Sequence, residues 1–156
     1  MCRLGEQRVA WPADAVVEVV RAVAITPLPG APRAVEGVIN VRGTVVPVLD
    51  LRARFGLVTP PLDPAEHMIL VTAGGRTIAC RVDQVDQIVT IPANAVTTPR
   101  GLTASAPGVA GIATTADGIV VVHDPEAFFS EQEALALTAV LEAGPGPRAT
   151  PGSTLP

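Results

Sequence analysis

The chain has 156 residues and a net charge of −4, enough for one domain with a real core. Its eleven basic residues are all arginine and lie scattered, so there is no basic stripe for nucleic acid. No apolar run approaches the roughly 20 residues of a membrane span, and 14 Gly and 16 Pro against three Phe, one Trp and no Tyr fit many short strands and tight turns.

In chain order, Gly5-Glu6-Gln7 between apolar runs predicts a first hairpin. A strand follows Asp14, and its alternation turns Val17 and Val19 outward near Arg21. Pro27 to Pro32 is a connection. "VEGVINVRGTVVPVLDL" then reads as a second hairpin turning at Arg42-Gly43. Leu62 to Glu66 is a polar joint. Ala73-Gly74-Gly75-Arg76 predicts another hairpin, and a strand over 85–91 places Val85, Val89 and Ile91 on one face and Ile88 on the other. Pro99 to Gly108 is again a connection, and a last hairpin turns at Asp117-Gly118. Ser130-x-x-Glu133 is a capping box, with Ala134, Ala136, Leu137, Val140 and Leu141 at helical spacing. The tail 144–156 is too poor in apolar groups to pack and is expected to be disordered.

The chain repeats itself. Residues 35–55 fall on 109–129 at a shift of 74 without a gap, with seven identities that include Gly37/Gly111, Val46/Val120, Asp50/Asp124 and Phe55/Phe129. Residues 5–22 fall on 74–91 at a shift of 69, with Gly5/Gly74 and Asp14/Asp83 among the identities. Two units, about 2–58 and 67–129, each carry about five short strands, which fits a small closed barrel.

Catalytic constellations are missing. His67 and His123 lack metal-ligand spacing and read as surface or strand-end residues. Asp50 and Asp124 recur at one repeat position, which argues for capping a turn or short helix. Cys2 and Cys80 read as reduced small hydrophobes. The reading is no enzyme, no metal and no cofactor. Branched apolar residues facing outward, Val17, Val19 and Ile88, mark either a surface packed on the other unit or the helix, or a partner surface. Arg42 has Ala116 as its counterpart, so it is expected to serve recognition, or an ion pair between units, rather than turn closure.

Gly37, Val38, Asn40, Arg42, Gly43, Pro47, Asp50, Leu51 and Arg52 together resemble the signature segment of CheW-like domains, and the resemblance continues over residues 2 to 142. It implies a mainly β single domain, 1–143: two five-stranded SH3-like β-barrel subdomains plus a C-terminal α-helix over 130–143. It further implies a non-catalytic chemotaxis adaptor. Such a protein couples chemoreceptor (methyl-accepting chemotaxis protein) cytoplasmic tips to the CheW-like regulatory domain of the histidine kinase CheA, in the cytoplasm at membrane-associated arrays. The alternative is the same role in a non-motility receptor–kinase pathway. No nucleic acid, membrane insertion or small-molecule substrate is implied. Partner contacts are implied at Val17, Val19, Gly37, Val38, Asn40, Arg42, Gly43, Val85 and Ile88.

Overall fold

The computed structural model describes residues 1–98 and 108–143. The expected tail, 144–156, and most of the Pro99–Gly108 connection lie outside the described residues. Eleven strands are present among the described residues: β1 (Cys2–Leu4), β2 (Gln7–Ala10), β3 (Val16–Arg21), β4 (Val35–Val41), β5 (Thr44–Leu49), β6 (His67–Ala73), β7 (Arg76–Val82), β8 (Gln84–Val85), β9 (Val96–Thr97), β10 (Val109–Thr115) and β11 (Gly118–His123). A one-turn helix α1 (Leu51–Arg54) follows β5, and α2 (Glu131–Ala143) closes the described chain.

The repeat holds down to single hydrogen bonds. Strands β4 and β5 map onto β10 and β11 at the shift of 74, with matching bulges after Val35 and Val109. Asp50 N donates to Ala34 O at 2.7 Å, and Asp124 N to Gly108 O at 2.8 Å. A Cβ on Gly37 would overlap the Thr26 carbonyl, and one on Gly111 the Thr97 carbonyl. Both glycines are therefore demanded by the close approach of a neighbouring backbone. The two aspartates do cap: Asp50 accepts from Ala53 N at 3.2 Å, and Asp124 from Glu126 N at 3.1 Å.

The sheets, however, do not follow the two sequence units. One lobe is a five-stranded sheet in the order β3-β6-β7-β5-β4; the other is six-stranded, β8-β1-β2-β11-β10-β9. The first hairpin of each unit has thus joined the other unit's sheet. Hairpin β6–β7 pairs with β3 and β5 of the first unit, and β1–β2 with β8 and β11 of the second. Both sheets have the same order once this exchange is made. Closed barrels do not form: beyond β3 the chain reaches β4 through a single bridge, Thr26 with Val38, and β8 and β9 are two residues each. The strand expected over 85–91 stops at Val85, because β8 finds partners only at Cys2 and Arg3 of a three-residue β1. The last hairpin turns at Ala116-Asp117, one residue earlier than expected, and Gly118 takes the left-handed position at φ 116°.

The exchange explains the core. The largest apolar cluster joins Cys2, Leu4 and Val9 of one exchanged hairpin to Ile69, Val71 and Ile78 of the other, with Leu49 and Phe128. A second cluster, Ile39, Val46, Val48, Met68 and Leu70, fills the five-stranded lobe. Arginines fasten the seams. Arg52, 5 % exposed, pairs with Asp83 between the lobes, and Arg54 holds the Phe128 carbonyl and Glu133. Arg81 is buried and holds Glu66 at 2.5 Å, Glu36 at 2.7 Å and the Pro60 carbonyl at 2.8 Å. The joint is therefore anchored by a buried ion pair, which its polar sequence did not suggest. Burial pushes the Glu36 carboxyl above its ordinary value, against the pull of Arg81.

The capping box forms as predicted. Glu133 N donates to Ser130 Oγ at 3.1 Å, and Ser130 N to the Glu133 carboxylate at 3.2 Å. Of the apolar set on α2, Leu137 is buried against Leu28, Val35 and Val38. Ala134 and Ala136 stay exposed. The helix touches the five-stranded lobe through buried Leu137, with half-buried Val140 and Leu141 packed beside it. No helix among the described residues is long and apolar enough to cross a membrane.

Candidate partner-docking groove

A groove of about 860 Å³ runs between the lobes. β3 contributes Val16 and Val19, β8 contributes Val85, and the segment after β8 contributes Ile88, Val89 and Ile91. Its floor includes Trp11 and Ile69. No charged side chain lines it; Gln87 and Thr90 are its polar side chains. Ile88 is 90 % exposed and Val19 43 %. The backbone of the segment after β8 is held at its start by Met1, whose amine donates to Gln87 O at 2.6 Å and whose carbonyl accepts from Asp86 N at 2.9 Å. Ile88 is thereby presented on an anchored strap.

The residues anticipated from sequence divide into three groups, with Val17 apart from them. Val19, Val85 and Ile88 meet in the groove. Asn40, Arg42 and Gly43 form the tip of the β4–β5 hairpin. Arg42 (φ 50°) and Gly43 (φ 87°) are both left-handed, the signature of a type I′ turn, and Asn40 Oδ1 accepts from Gly43 N at 2.8 Å. Gly37 and Val38 are buried; Gly37 admits the Thr26 backbone and Val38 packs under Leu137. Val17, 57 % exposed, lies on β3 outside the groove lining.

Glu18 links the first two groups. It sits on β3 between Val17 and Val19 and takes Arg42 in a bidentate pair, Nη1 to Oε1 at 2.7 Å and Nη2 to Oε2. The hydrogen bonds from Arg42 hold the Glu18 carboxyl below its ordinary value, and the same bonds raise the guanidinium. Arg42 therefore does turn chemistry, against expectation, and its ion pair stays within one lobe rather than crossing between units. The pair joins the two end strands of the five-stranded sheet. Glu18 escaped notice in the sequence although a lone acid within "VVEVV" is the natural counter-charge for a lone arginine within "INVRGTVV".

His123 also departs from expectation. It ends β11 but is 2 % exposed. Trp11 stacks on it at 5.2 Å, and Phe55 and Phe128 approach at 5.6 and 5.9 Å. Burial pushes its imidazole down to about 4, against the opposing pull of a hydrogen bond toward the Gly108 main chain. Cys2 and Cys80 are free and buried, and burial pushes both thiols up, Cys2 to about 11. Such thiols are inert at neutral pH. Among the described residues no cluster of His, Cys, Asp or Glu could hold a metal ion.

Two lobes that exchange hairpins across a common core, with a groove free of charged side chains along their seam, define a two-lobed, mainly β module. Within that class the chain belongs to the CheW-like domain family, whose model matches residues 1–133. It is 35 % identical over 89 residues to a chemotaxis protein CheW of Rhizobium meliloti, covering 57 % of each chain. A 32 % identity over 111 residues relates it to Protein FrzA of Myxococcus xanthus, covering 70 % of this chain and 69 % of that one. The crystal structure of scaffolding protein TtCheW from Thermoanaerobacter tengcongensis superposes with a TM-score of 0.74 at 31 % identity, over 85 % of this chain and 91 % of that one. The match to the Rhizobium protein spans little more than half of that relative's length.

Proposed function

We propose that the chain is a non-catalytic adaptor that couples the cytoplasmic tips of chemoreceptors to the histidine kinase CheA. The groove is the receptor-docking site in this reading, with Val19, Val85 and Ile88 as its apolar contacts and the Arg42–Glu18 pair at its flank. The kinase docks elsewhere on this chain, through the kinase's CheW-like regulatory domain, and the complex works in the cytoplasm beneath a receptor array. The observation that carries this is the groove: an anchored surface without charged side chains, with Ile88 almost fully exposed, a costly surface to leave wet. The family match and the scaffolding protein among its structural relatives support the same reading.

Co-sedimentation with a receptor-tip fragment and with the kinase regulatory domain tests it. The wild-type chain should bring down both, and Ile88→Asp should lose the tip while retaining the kinase domain. Binding to neither by the wild type would overturn the proposal. The alternative reading is the same docking within a non-motility receptor–kinase pathway. Normal swimming of a deletion strain would favour it.

A further inference from the structure

Trp11 forms part of the groove floor, and its indole lies nearly parallel to the His123 ring, with planes 22° apart. Phe55 and Phe128 enclose the imidazole further. In the first repeat the equivalent of His123 is Leu49, an ordinary core residue. Two kinds of polar atom are stranded in this box. The indole Nε1–H of Trp11 is buried without an acceptor among the described residues, and the imidazole of His123, whose one main-chain neighbour in hydrogen-bonding position is Gly108, leaves at least one ring nitrogen without a partner there. A neutral imidazole always carries one nitrogen that can accept, and burial keeps this ring neutral. A stranded donor and a stranded acceptor therefore lie in adjacent rings, stacked in an orientation that keeps them from bonding.

Buried polar groups without partners are uncommon and costly. Other groups do not relieve this pair. Arg54, beside Phe55, is committed to the Phe128 carbonyl and Glu133. On the turn before Phe128, Asp124 caps Glu126 N and Glu126 holds Gly74 N. Strand β10, which pairs with β11, carries no ionisable side chain.

We propose that Trp11 and His123 form a two-position floor beneath the groove. In one position the rings stack, as seen here, and the indole offers a flat face to the groove. In the other the indole tilts, Nε1–H donates to the imidazole, and the flat face is lost. An aromatic stack and a neutral hydrogen bond are similar in strength, so the populations lie within about tenfold of each other. An apolar receptor helix resting on the indole face selects the stacked position. Its apparent affinity is lowered by whatever fraction of molecules is tilted. This rests on the groove being the docking site. It adds that Trp11 sets the floor and that His123 is a positioning residue competing with docking.

The chain has one tryptophan, so a single indole signal reports the floor. Nitrogen-15 NMR of the full chain at pH 7 should show an indole-to-imidazole hydrogen bond in the free protein that disappears on saturation with a receptor-tip fragment. His123→Leu, the residue of the equivalent position, should bind the fragment more tightly, by up to about tenfold. A purely structural histidine would give the opposite sign. The proposal is overturned if the free protein shows no such hydrogen bond, or if a folded His123→Leu binds equally or less well. Should that variant fail to fold, the wild-type spectrum decides alone. If the fragment does not bind the wild type at all, the docking reading fails, while the spectrum of the free protein still judges the pair.

Discussion

At the scale of single residues, Arg42 now has two occupations, and they can be separated. Its backbone holds a left-handed turn position and its guanidinium holds Glu18. Arg42→Gly keeps the turn, since glycine adopts that backbone freely, and removes the guanidinium. Its melting temperature should not fall, whereas its affinity for a receptor tip should, as read by calorimetry of both properties. Reduced melting together with unchanged affinity would make the arginine structural. His123 carries a prediction of its own. Its imidazole titrates near 4 when folded and near 6.5 when unfolded, so the unfolded chain binds more protons between these values. Stability from this group is full above about pH 6.5 and is lost as pH falls toward 4, on the order of 3 kcal/mol in all. Urea denaturation at pH 7 and at pH 4.5 should show this slope in the wild type and a shallower one in His123→Leu.

At the scale of elements, the two hairpins related by the shift of 74 show what the fold requires and what it leaves free. Both copies keep the glycine that meets a neighbouring carbonyl and the capping aspartate. Gly37→Ala should therefore cost about 2 to 3 kcal/mol, because the obstacle is backbone and not a flexible side chain. Equilibrium unfolding checks it. Ser130→Ala should cost about 1 kcal/mol by opening the capping box, with a visible loss of helical signal. Much of this was legible in the sequence. The repeat located β4, β5, β10 and β11, and the S-x-x-E motif located the start of α2. Alternation turned Val17 and Val19 outward on β3. Its separation of Ile88 from Val85, Val89 and Ile91 fails, because the chain beyond Val85 is not a strand and all four line the groove. The buried histidine was not found, although its alignment with Leu49 was the available signal: a position that is core in one copy is core in the other.

At the scale of the whole molecule, the sheet partners were illegible. An amphipathic hairpin fits either sheet, and nothing local tells β1–β2 to pair with β11, more than a hundred positions away. The exchange itself is testable. A chain cut in the joint between Leu62 and Glu66 yields two pieces, each lacking a hairpin its own sheet needs. Each should be unfolded alone by circular dichroism and recover native strand signal only on mixing. Independent folding of either piece would contradict the topology.

The exchange also orders events during synthesis. The five-stranded sheet is complete once Val82 has been made. The β1–β2 hairpin is made before that sheet, yet its long-range partner β11 ends only at His123. Throughout that interval its edges are open to pairing with other chains. A hairpin made before the five-stranded sheet thus finds its place only after that sheet is complete. A nascent chain of this protein is therefore vulnerable to aggregation through the β1–β2 hairpin until β11 is made.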